Sequence, residues 1–394
     1  MYKSFTALMA MASMATAAPF AARQEEARKL VIGGPGQILT ADFTGDNFEI
    51  TGSFKQSGAA PSWLLHQNSD LLYAVNENGA DLNLFKLGDA SRGLTLRDTV
   101  EGLEGVVSLA FNADSTRIVG TSYGVGKYEV WDVQPDSKLK HSKTVEVPGP
   151  LGPDQKSHRP HQALLDPSGR YFVIPDLGGD AILVVDTEGD YEITGTVSTG
   201  SGSGPRHGGF VSVNGGKEAS HYIVATELSN ELILFSLEYG TGSDGLKFTE
   251  LHRLSTYGPG FPPKTPDKAA AGELAIANNG RDVYVSNRLS GNETDSIAHF
   301  VLEKGGKGNP ELRFAHTVSS GGIMPRMFSL STDADQGLVF VANQHGKLGI
   351  AALKRDPETG ELQESPVASL PIAEVTAPEF RGQENVGPQF IQQI

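Results

Sequence analysis

The stretch PHQALLDPSGRYFVIPDLGGD, at residues 160–180, contains the unit that decides the fold. It opens with a short apolar segment, turns at residues 166–169, and continues into a second apolar run that ends at Ile174-Pro175-Asp176-Leu177. Two short apolar runs joined by a turn with Asp, Pro and Gly are typical of paired antiparallel strands and not of a helix. Residues 160–180 therefore predict a β-hairpin.

The second half of this hairpin, an apolar-x-polar-polar run, recurs along the chain. Its third position falls at residues 33, 76, 121, 176, 226, 287 and 343, so the spacing is 43 to 61 residues. The copies are Val31-Ile32-Gly33-Gly34, Ala74-Val75-Asn76-Glu77, Val119-Gly120-Thr121-Ser122, Ile174-Pro175-Asp176-Leu177, Val224-Ala225-Thr226-Glu227, Val285-Ser286-Asn287-Arg288 and Val341-Ala342-Asn343-Gln344. Seven units of about 50 residues, each worth about four strands, predict a seven-bladed β-propeller. We expect one all-β domain at residues 29–394.

The first copy is degenerate, so the ring needs a strand from elsewhere to avoid an open sheet edge. We expect an apolar strand at Leu30–Ile32 or Ile38–Phe43 to complete a blade together with strands from about 348–375. This pairing would join the two ends of the chain.

Composition excludes several functional classes. The chain has 394 residues, no cysteine and a formal net charge of −15. An acidic protein repels a phosphate backbone, so we expect no nucleic-acid partner. Without cysteine there are no disulfides, thiolate zinc sites, iron–sulfur clusters or cysteine nucleophiles. His158 and His161 lack a third ligand at a usual spacing, so we expect neither a metal nor a cofactor.

Residues 1–17 resemble a secretory signal peptide. Lys3 precedes the apolar run from Phe5 to Ala15, and Ala15-Thr16-Ala17 gives the small-x-small cleavage pattern. The run is too short to cross a membrane, and no later stretch reaches 18 apolar residues. We therefore expect a secreted or cell-wall-associated protein with a polar lead-in at residues 18–28. A disordered N-terminal tail is the alternative.

Propeller geometry brings two sets of residues to one face. Innermost strands start at the mouth of the central channel, and the next strands outward end there. The first set is Ser62, Val107, His161, Arg206, Gly272 and Arg326, and the second is Glu77, Ser122, Leu177, Glu227, Arg288 and Gln344. Equivalent positions occupied by His, Arg, Glu and Gln predict a polar pocket.

Several segments resemble the seven-bladed lactonase propellers, a family that includes 6-phosphogluconolactonase of the propeller type and fungal carboxy-cis,cis-muconate cyclase. They are residues 157–180, GSGPRHGGF at 202–210, ATEL at 225–228, YVSNR at 284–288 with DSIAHF at 295–300, and MPRMFSL with VFVANQ within 324–344. The resemblance implies a site of His161, Arg206, Glu227 and Arg288, with His158 as the competing histidine. We add Arg326, Glu77 and Gln344 as candidate substrate-binding residues because of their places in the ring.

This constellation suits a small anionic substrate. Guanidinium groups bind carboxylates in a forked geometry, and a histidine transfers protons near neutral pH. We therefore expect a carboxymuconate cyclase-like or lactonase-like enzyme in which His161 or Glu227 moves the proton. One alternative is a non-catalytic, adhesin-like binding propeller, and another is a 6-phosphogluconolactonase. His207 and Glu273 are expected to have structural roles.

Asn292-Glu293-Thr294 is a glycosylation sequon close to Arg288. A glycan on Asn292 would stand beside the pocket mouth if the chain is secreted.

The signal peptide makes a prediction about processing. We expect protein recovered outside the producing cell to lack residues 1–17 and to begin near Ala18, as N-terminal sequencing would show. A protein that keeps Met1 and remains in the cytosol would contradict the prediction.

Overall fold

A computed structural model describes residues 27–67, 70–88, 93–212, 216–240, 245–306 and 309–394. The predicted signal peptide, and the lead-in up to residue 26, lie outside the described residues. The described chain forms seven four-stranded antiparallel sheets. The prediction of a single seven-bladed β-propeller is confirmed.

In chain order, the strands of the described residues are β1 (Arg28–Gly34), β2 (Gln37–Phe43), β3 (Phe48–Lys55), β4 (Leu64–Gln67), β5 (Leu71–Val75), β6 (Asp81–Leu87), β7 (Leu94–Glu101), β8 (Val106–Phe111), β9 (Arg117–Ser122), β10 (Lys127–Val133), β11 (Leu139–Glu146), β12 (Leu164–Leu165), β13 (Tyr171–Asp176), β14 (Ala181–Asp186), β15 (Glu192–Ser198), β16 (Pro205–Val211), β17 (His221–Thr226), β18 (Glu231–Tyr239), β19 (Leu246–Ser255), β20 (Ala270–Ile276), β21 (Asp282–Arg288), β22 (Ser296–Lys304), β23 (Pro310–Ser319), β24 (Ile323–Leu330), β25 (Leu338–His345), β26 (Leu348–Lys354), β27 (Ala368–Pro371) and β28 (Phe390–Gln393).

Each blade has four strands, ordered from the channel outward. Blade 1 is β28-β1-β2-β3, and blades 2 to 7 are β4–β7, β8–β11, β12–β15, β16–β19, β20–β23 and β24–β27. The described chain also contains one α-helix, α1 (Ile372–Val375), after blade 7, and short 3₁₀ turns at Leu177–Gly179 and Pro378–Phe380. No helix among the described residues is long and apolar enough to cross a membrane.

The two middle strands of a blade are apolar because neighbouring blades cover both of their faces. In blade 4, every residue of β13 and β14 is buried, whereas the outermost strand β15 alternates between exposed and partly buried residues. Tyr171 and Val173 of β13 pack against Tyr222 and Val224 of β17 in blade 5. The cores therefore lie between blades, so the ring is one cooperative domain.

The ring closes differently from our expectation. β28 pairs antiparallel with β1, and Ile391 lies opposite Ile32. The predicted partner segment, 348–375, instead forms the two outer strands of blade 7 and helix α1. The reason is that β1 is the second strand of its blade, so blade 1 lacks an innermost strand. The C-terminal segment supplies it, with Phe390 and Ile391 buried.

This closure predicts that substitutions at two neighbouring residues of β28 have different effects on the stability of the protein. Ile391→Ala removes a fully buried side chain and should lower the free energy of unfolding by about 2–4 kcal/mol. Gln392→Ala removes a partly exposed side chain and should change it by less than about 0.5 kcal/mol. Denaturant titration of both variants checks this, and equal effects would contradict the closure.

Candidate functional site at the channel mouth

β-Bulges position the side chains at the channel mouth. The innermost strands β8, β16, β20 and β24 each shift register at their first residues. A bulge leaves a residue outside the ladder and redirects its side chain. The residues without a ladder partner are Val107, Arg206, Gly272 with Glu273, and Arg326.

These side chains help to line a small cavity in the channel. Its volume is about 10 Å³, which is room for about one water molecule, and all seven blades contribute to its wall. A larger ligand would therefore lie over the cavity, at the channel mouth. The lining residues are Ser62, Trp63, Val107, His161, Arg206, His207, Glu273, Arg326, Met327 and Gln389. Five of the six predicted inner-strand starts are among them. At the sixth position, Glu273 lines the cavity in place of Gly272. Gln389 is the lining residue that blade 1 contributes.

An ion-pair cluster joins this cavity to the ends of the second strands. The Glu227 carboxylate oxygen Oε2 lies 2.9 Å from Arg206 Nε and 2.8 Å from Arg288 Nη2. Burial alone would raise the pKa of Glu227, but Arg288 and Arg206 outweigh it and hold that pKa below its usual value. Glu227 is therefore ionised at neutral pH. It balances the two guanidinium groups.

A second ion pair lies across blade 1. Arg326 Nη2 in blade 7 is 2.6 Å from Glu77 Oε2 in blade 2. Glu77 and Arg326, both predicted as substrate-binding residues, therefore contact each other, and the exposed fractions of their side chains are 26% and 15%. This partial exposure leaves the pair within reach of a ligand that enters from the mouth.

His161, one of the two histidines that line the cavity, is uncharged at neutral pH. Burial, followed by the nearby Arg206, lowers the pKa of His161 well below its usual value. Burial and the neighbouring Arg288 also lower the pKa of Arg206 to about 9, so that guanidinium stays protonated at pH 7. The cavity therefore pairs a neutral imidazole with a cation, which is a suitable arrangement for a base beside a developing negative charge.

Two further residues, His207 and Glu273, form a line of hydrogen-bond contacts with His161. His161 Nδ1 lies 3.1 Å from His207 Nε2, and His207 Nδ1 lies 3.0 Å from Glu273 Oε1. All three side chains are buried. Sequence reasoning assigned His207 and Glu273 structural roles, since nothing in the sequence marks the bulge in β20 that turns Glu273 toward His207.

Two of the predicted site residues lie apart from this cluster. His158 Nδ1 contacts Asp176 Oδ2 at 2.6 Å, and both residues line a separate groove that also includes Leu151 and Leu183. Gln344 is buried and donates a hydrogen bond of 3.4 Å to the carbonyl of Asn385. Of the two candidate histidines, only His161 lines the channel cavity.

Several polar atoms of the cavity wall have no hydrogen-bond partner within the described chain. They are Ser62 Oγ, Arg206 Nη1, Glu273 Oε2 and Gln389 Oε1, and all are buried. Unpaired buried polar groups are costly, so these atoms favour a water molecule or a polar atom of a ligand in the cavity. In the described part of the chain, no group of three or more His, Asp or Glu side chains is placed to hold a metal ion.

The fold and the site together define a class, a seven-bladed propeller with a cationic, histidine-containing pocket at its channel mouth. Residues 27–375 match the family described as "Lactonase, 7-bladed beta-propeller". The chain belongs to this family. The matched range ends before β28, which closes the ring.

Known relatives resemble the chain over most of its length. A protein of Arthroderma benhamiae named "Probable 6-phosphogluconolactonase" is 29% identical over 338 residues, which cover 82% of each chain. An uncharacterised protein of Staphylococcus saprophyticus is 29% identical over 77% of this chain and 83% of its own. Among solved structures, the periplasmic gluconolactonase of Pseudomonas aeruginosa has a TM-score of 0.74 at 23% identity, covering 94% of this chain and 99% of its own.

The sequon asparagine is placed where a modifying enzyme could reach it. Asn292 is exposed in the loop after Arg288, on the same face as the pocket. Glycosylation at this residue stays a prediction.

The ion pairs of Glu227 predict that its substitution lowers stability and that an added anion recovers part of the lost stability. Glu227→Gln leaves Arg206 and Arg288 without their counter-charge and should cost about 1–3 kcal/mol, less than for a fully buried pair because Glu227 is 21% exposed. Added citrate should recover part of the lost melting temperature. Glu250→Gln, which weakens an exposed pair with Arg253, is the matched control and should change stability little. An unchanged melting temperature for Glu227→Gln would contradict the cluster's role.

Proposed function

We propose that the protein hydrolyses the ester bond of a lactone that carries a negative charge. The observation that carries this proposal is the neutral, buried His161 in a cavity shared with the cations Arg206 and Arg326. Family membership supports lactone chemistry, and the name of the Arthroderma benhamiae relative makes 6-phosphogluconolactone the first substrate to test.

The proposed reaction needs only side chains of the cavity. His161 takes a proton from water while the water oxygen bonds to the lactone carbonyl carbon. The carbonyl oxygen gains negative charge, which the Arg206 guanidinium stabilises through Nη1, the atom that lacks a partner in the described chain. The ring C–O bond then breaks, and the leaving oxygen takes the proton back from His161. The product is the open hydroxy acid.

Glu227 has a supporting role in this proposal. Its Oε2 is paired with both Arg206 and Arg288, and its pKa lies below the usual value, so it is a weaker base for water than a neutral imidazole. It instead holds Arg206 and Arg288 in place, and a substrate carboxylate or phosphate would compete for the same guanidinium groups. The proton transfer that the sequence allowed for either residue is therefore assigned to His161.

Lactone formation by a carboxymuconate cyclase is the second candidate. Arg206 and Arg288 converge on one carboxylate oxygen of Glu227, which is the arrangement that would bind a substrate carboxylate. In such a cyclisation the substrate's own carboxylate adds to its double bond, so no protein nucleophile is needed. A binding-only, adhesin-like propeller is the outcome if no substrate is turned over.

Export is part of the proposal. The signal-like residues 1–17 favour a secreted or wall-associated enzyme, which would meet lactones outside the cell. Gluconolactone is tested beside its 6-phosphate to measure how much the negative charge contributes to turnover.

The decisive experiment measures lactone hydrolysis by purified mature protein and single variants. The substrates are 6-phosphogluconolactone, gluconolactone and 3-carboxymuconate, each corrected for its spontaneous reaction. His161→Ala should lower kcat about 10²–10⁴-fold with little change in KM. Arg206→Ala should raise KM and lower kcat. His221→Ala, outside the cavity, is the control and should match the parent.

The pH profile adds an independent check. The neutral form of His161 is the base and its pKa is lowered, so hydrolysis should persist below pH 6.5 and fall only at lower pH. A His161→Ala variant as active as the parent, or an acid limb above pH 6.5, would contradict the proposal.

A further inference from the structure

The hydrogen bonds between Glu273 and His207 and between His207 and His161 have a defined donor and acceptor at each step. Glu273 Oε1 accepts a hydrogen bond of 3.0 Å from the Leu274 backbone amide, and the Glu273 amide donates 2.8 Å to Ser286 Oγ. Both the carboxylate and its backbone are thus fixed in the bulge of β20. A carboxylate oxygen so placed accepts from the nearest ring nitrogen, which is His207 Nδ1 at 3.0 Å.

This contact determines the protonation pattern of both rings. Because Glu273 accepts, the proton of a neutral His207 is on Nδ1, and its Nε2 has a free lone pair. That lone pair faces His161 Nδ1 at 3.1 Å and requires a donor there. A neutral His161 then carries its proton on Nδ1, so its Nε2 is the basic atom.

The surroundings of both rings keep them neutral. The charged and titratable groups facing His161 are Arg206, Arg288, Arg326 and His207, and the three arginines are all cations. Burial lowers the pKa of His207, and Glu273 opposes that effect only in part. Tyr123 packs edge-on against His161, and Trp63 packs edge-on against His207.

We propose that Glu273 and His207 are positioning residues that hold His161 in the Nδ1–H tautomer, so that Nε2 is the proton acceptor of the site. The kinetic consequence rests on the proposed function, whereas the tautomer itself does not. Neither residue touches the substrate in this proposal. Both act through the His161 ring.

The arrangement suggests matched variants. His207→Phe keeps an aromatic ring but removes the acceptor from His161 Nδ1. His207→Gln places an amide oxygen near the position of Nε2 and restores an acceptor. Glu273→Gln keeps an oxygen acceptor for His207 Nδ1, whereas Glu273→Leu removes it.

The first measurement is the tautomer itself. Long-range ¹H–¹⁵N NMR spectra of protein labelled at histidine, with His161 identified by its loss in His161→Ala, should show Nδ1 protonated and Nε2 unprotonated at pH 7. His207→Phe and Glu273→Leu should shift His161 toward the other tautomer, and His207→Gln should restore the parent pattern. Each variant is first checked for cooperative unfolding, and the parent spectrum tests the proposal even if a variant fails to fold.

The second measurement separates positioning from general damage. On the best lactone, His207→Phe and Glu273→Leu should lower kcat about 10–10²-fold, less than His161→Ala, with KM changed by under about threefold. His207→Gln and Glu273→Gln should recover most of that loss. If both residues had a purely structural role, the variants would lower stability and raise KM together, and His207→Gln and Glu273→Gln would not recover kcat.

Each outcome supports or overturns the inference. A parent His161 protonated on Nε2, or a tautomer that ignores His207→Phe and Glu273→Leu, overturns it even if the enzyme hydrolyses lactones. A protein that turns over no lactone but shows the expected tautomer and its response to the variants refutes the proposed function and supports the inference.

Discussion

The pairing of β28 with β1 is the interaction on which the rest of the structure depends. Without it, blade 1 lacks its innermost strand and the channel has no wall on that side. Closure also brings Gln389 into the cavity, where it joins residues of the other six blades. The site therefore exists only in the complete ring, because no blade carries it alone. Its residues come from chain positions as distant as Ser62 and Gln389.

Charge compensation is the second constraint. Arg206, Arg288 and Arg326 are cations gathered in one region of an acidic protein, and two glutamates at strand ends offset them. The glutamates do not satisfy every donor of these arginines, since Arg206 Nη1 has no hydrogen-bond partner in the described chain. This residual donor and the neutral imidazole beside it favour a guest with an acceptor oxygen. Burial, together with the same cations, keeps His161 unprotonated, so the cluster affects both binding and proton transfer.

The repeat made the blades predictable because each second strand ends with the same apolar-x-polar-polar pattern, and His161, Arg206 and Arg326 followed from their place in it. Three features did not follow. β28 has no hairpin partner next to it in sequence, so the periodicity does not reveal it. Glu273 enters the channel only through a two-residue bulge in β20, which local sequence does not specify. His158 and His161 share one motif, yet the chain turns between them and separates their cavities.

The central claim is that the lactone binds over the channel cavity, and not at another part of the face. A crystal structure of the mature protein soaked with the 6-phosphate of gluconolactam, an unreactive analogue of 6-phosphogluconolactone, tests this most directly. We predict that the ring lies over the channel cavity, at its mouth, with its carbonyl oxygen near Arg206 and its carbonyl carbon on the side of His161. A lactam bound in the groove beside His158 and Asp176, or no bound lactam at saturating concentration, would contradict the account.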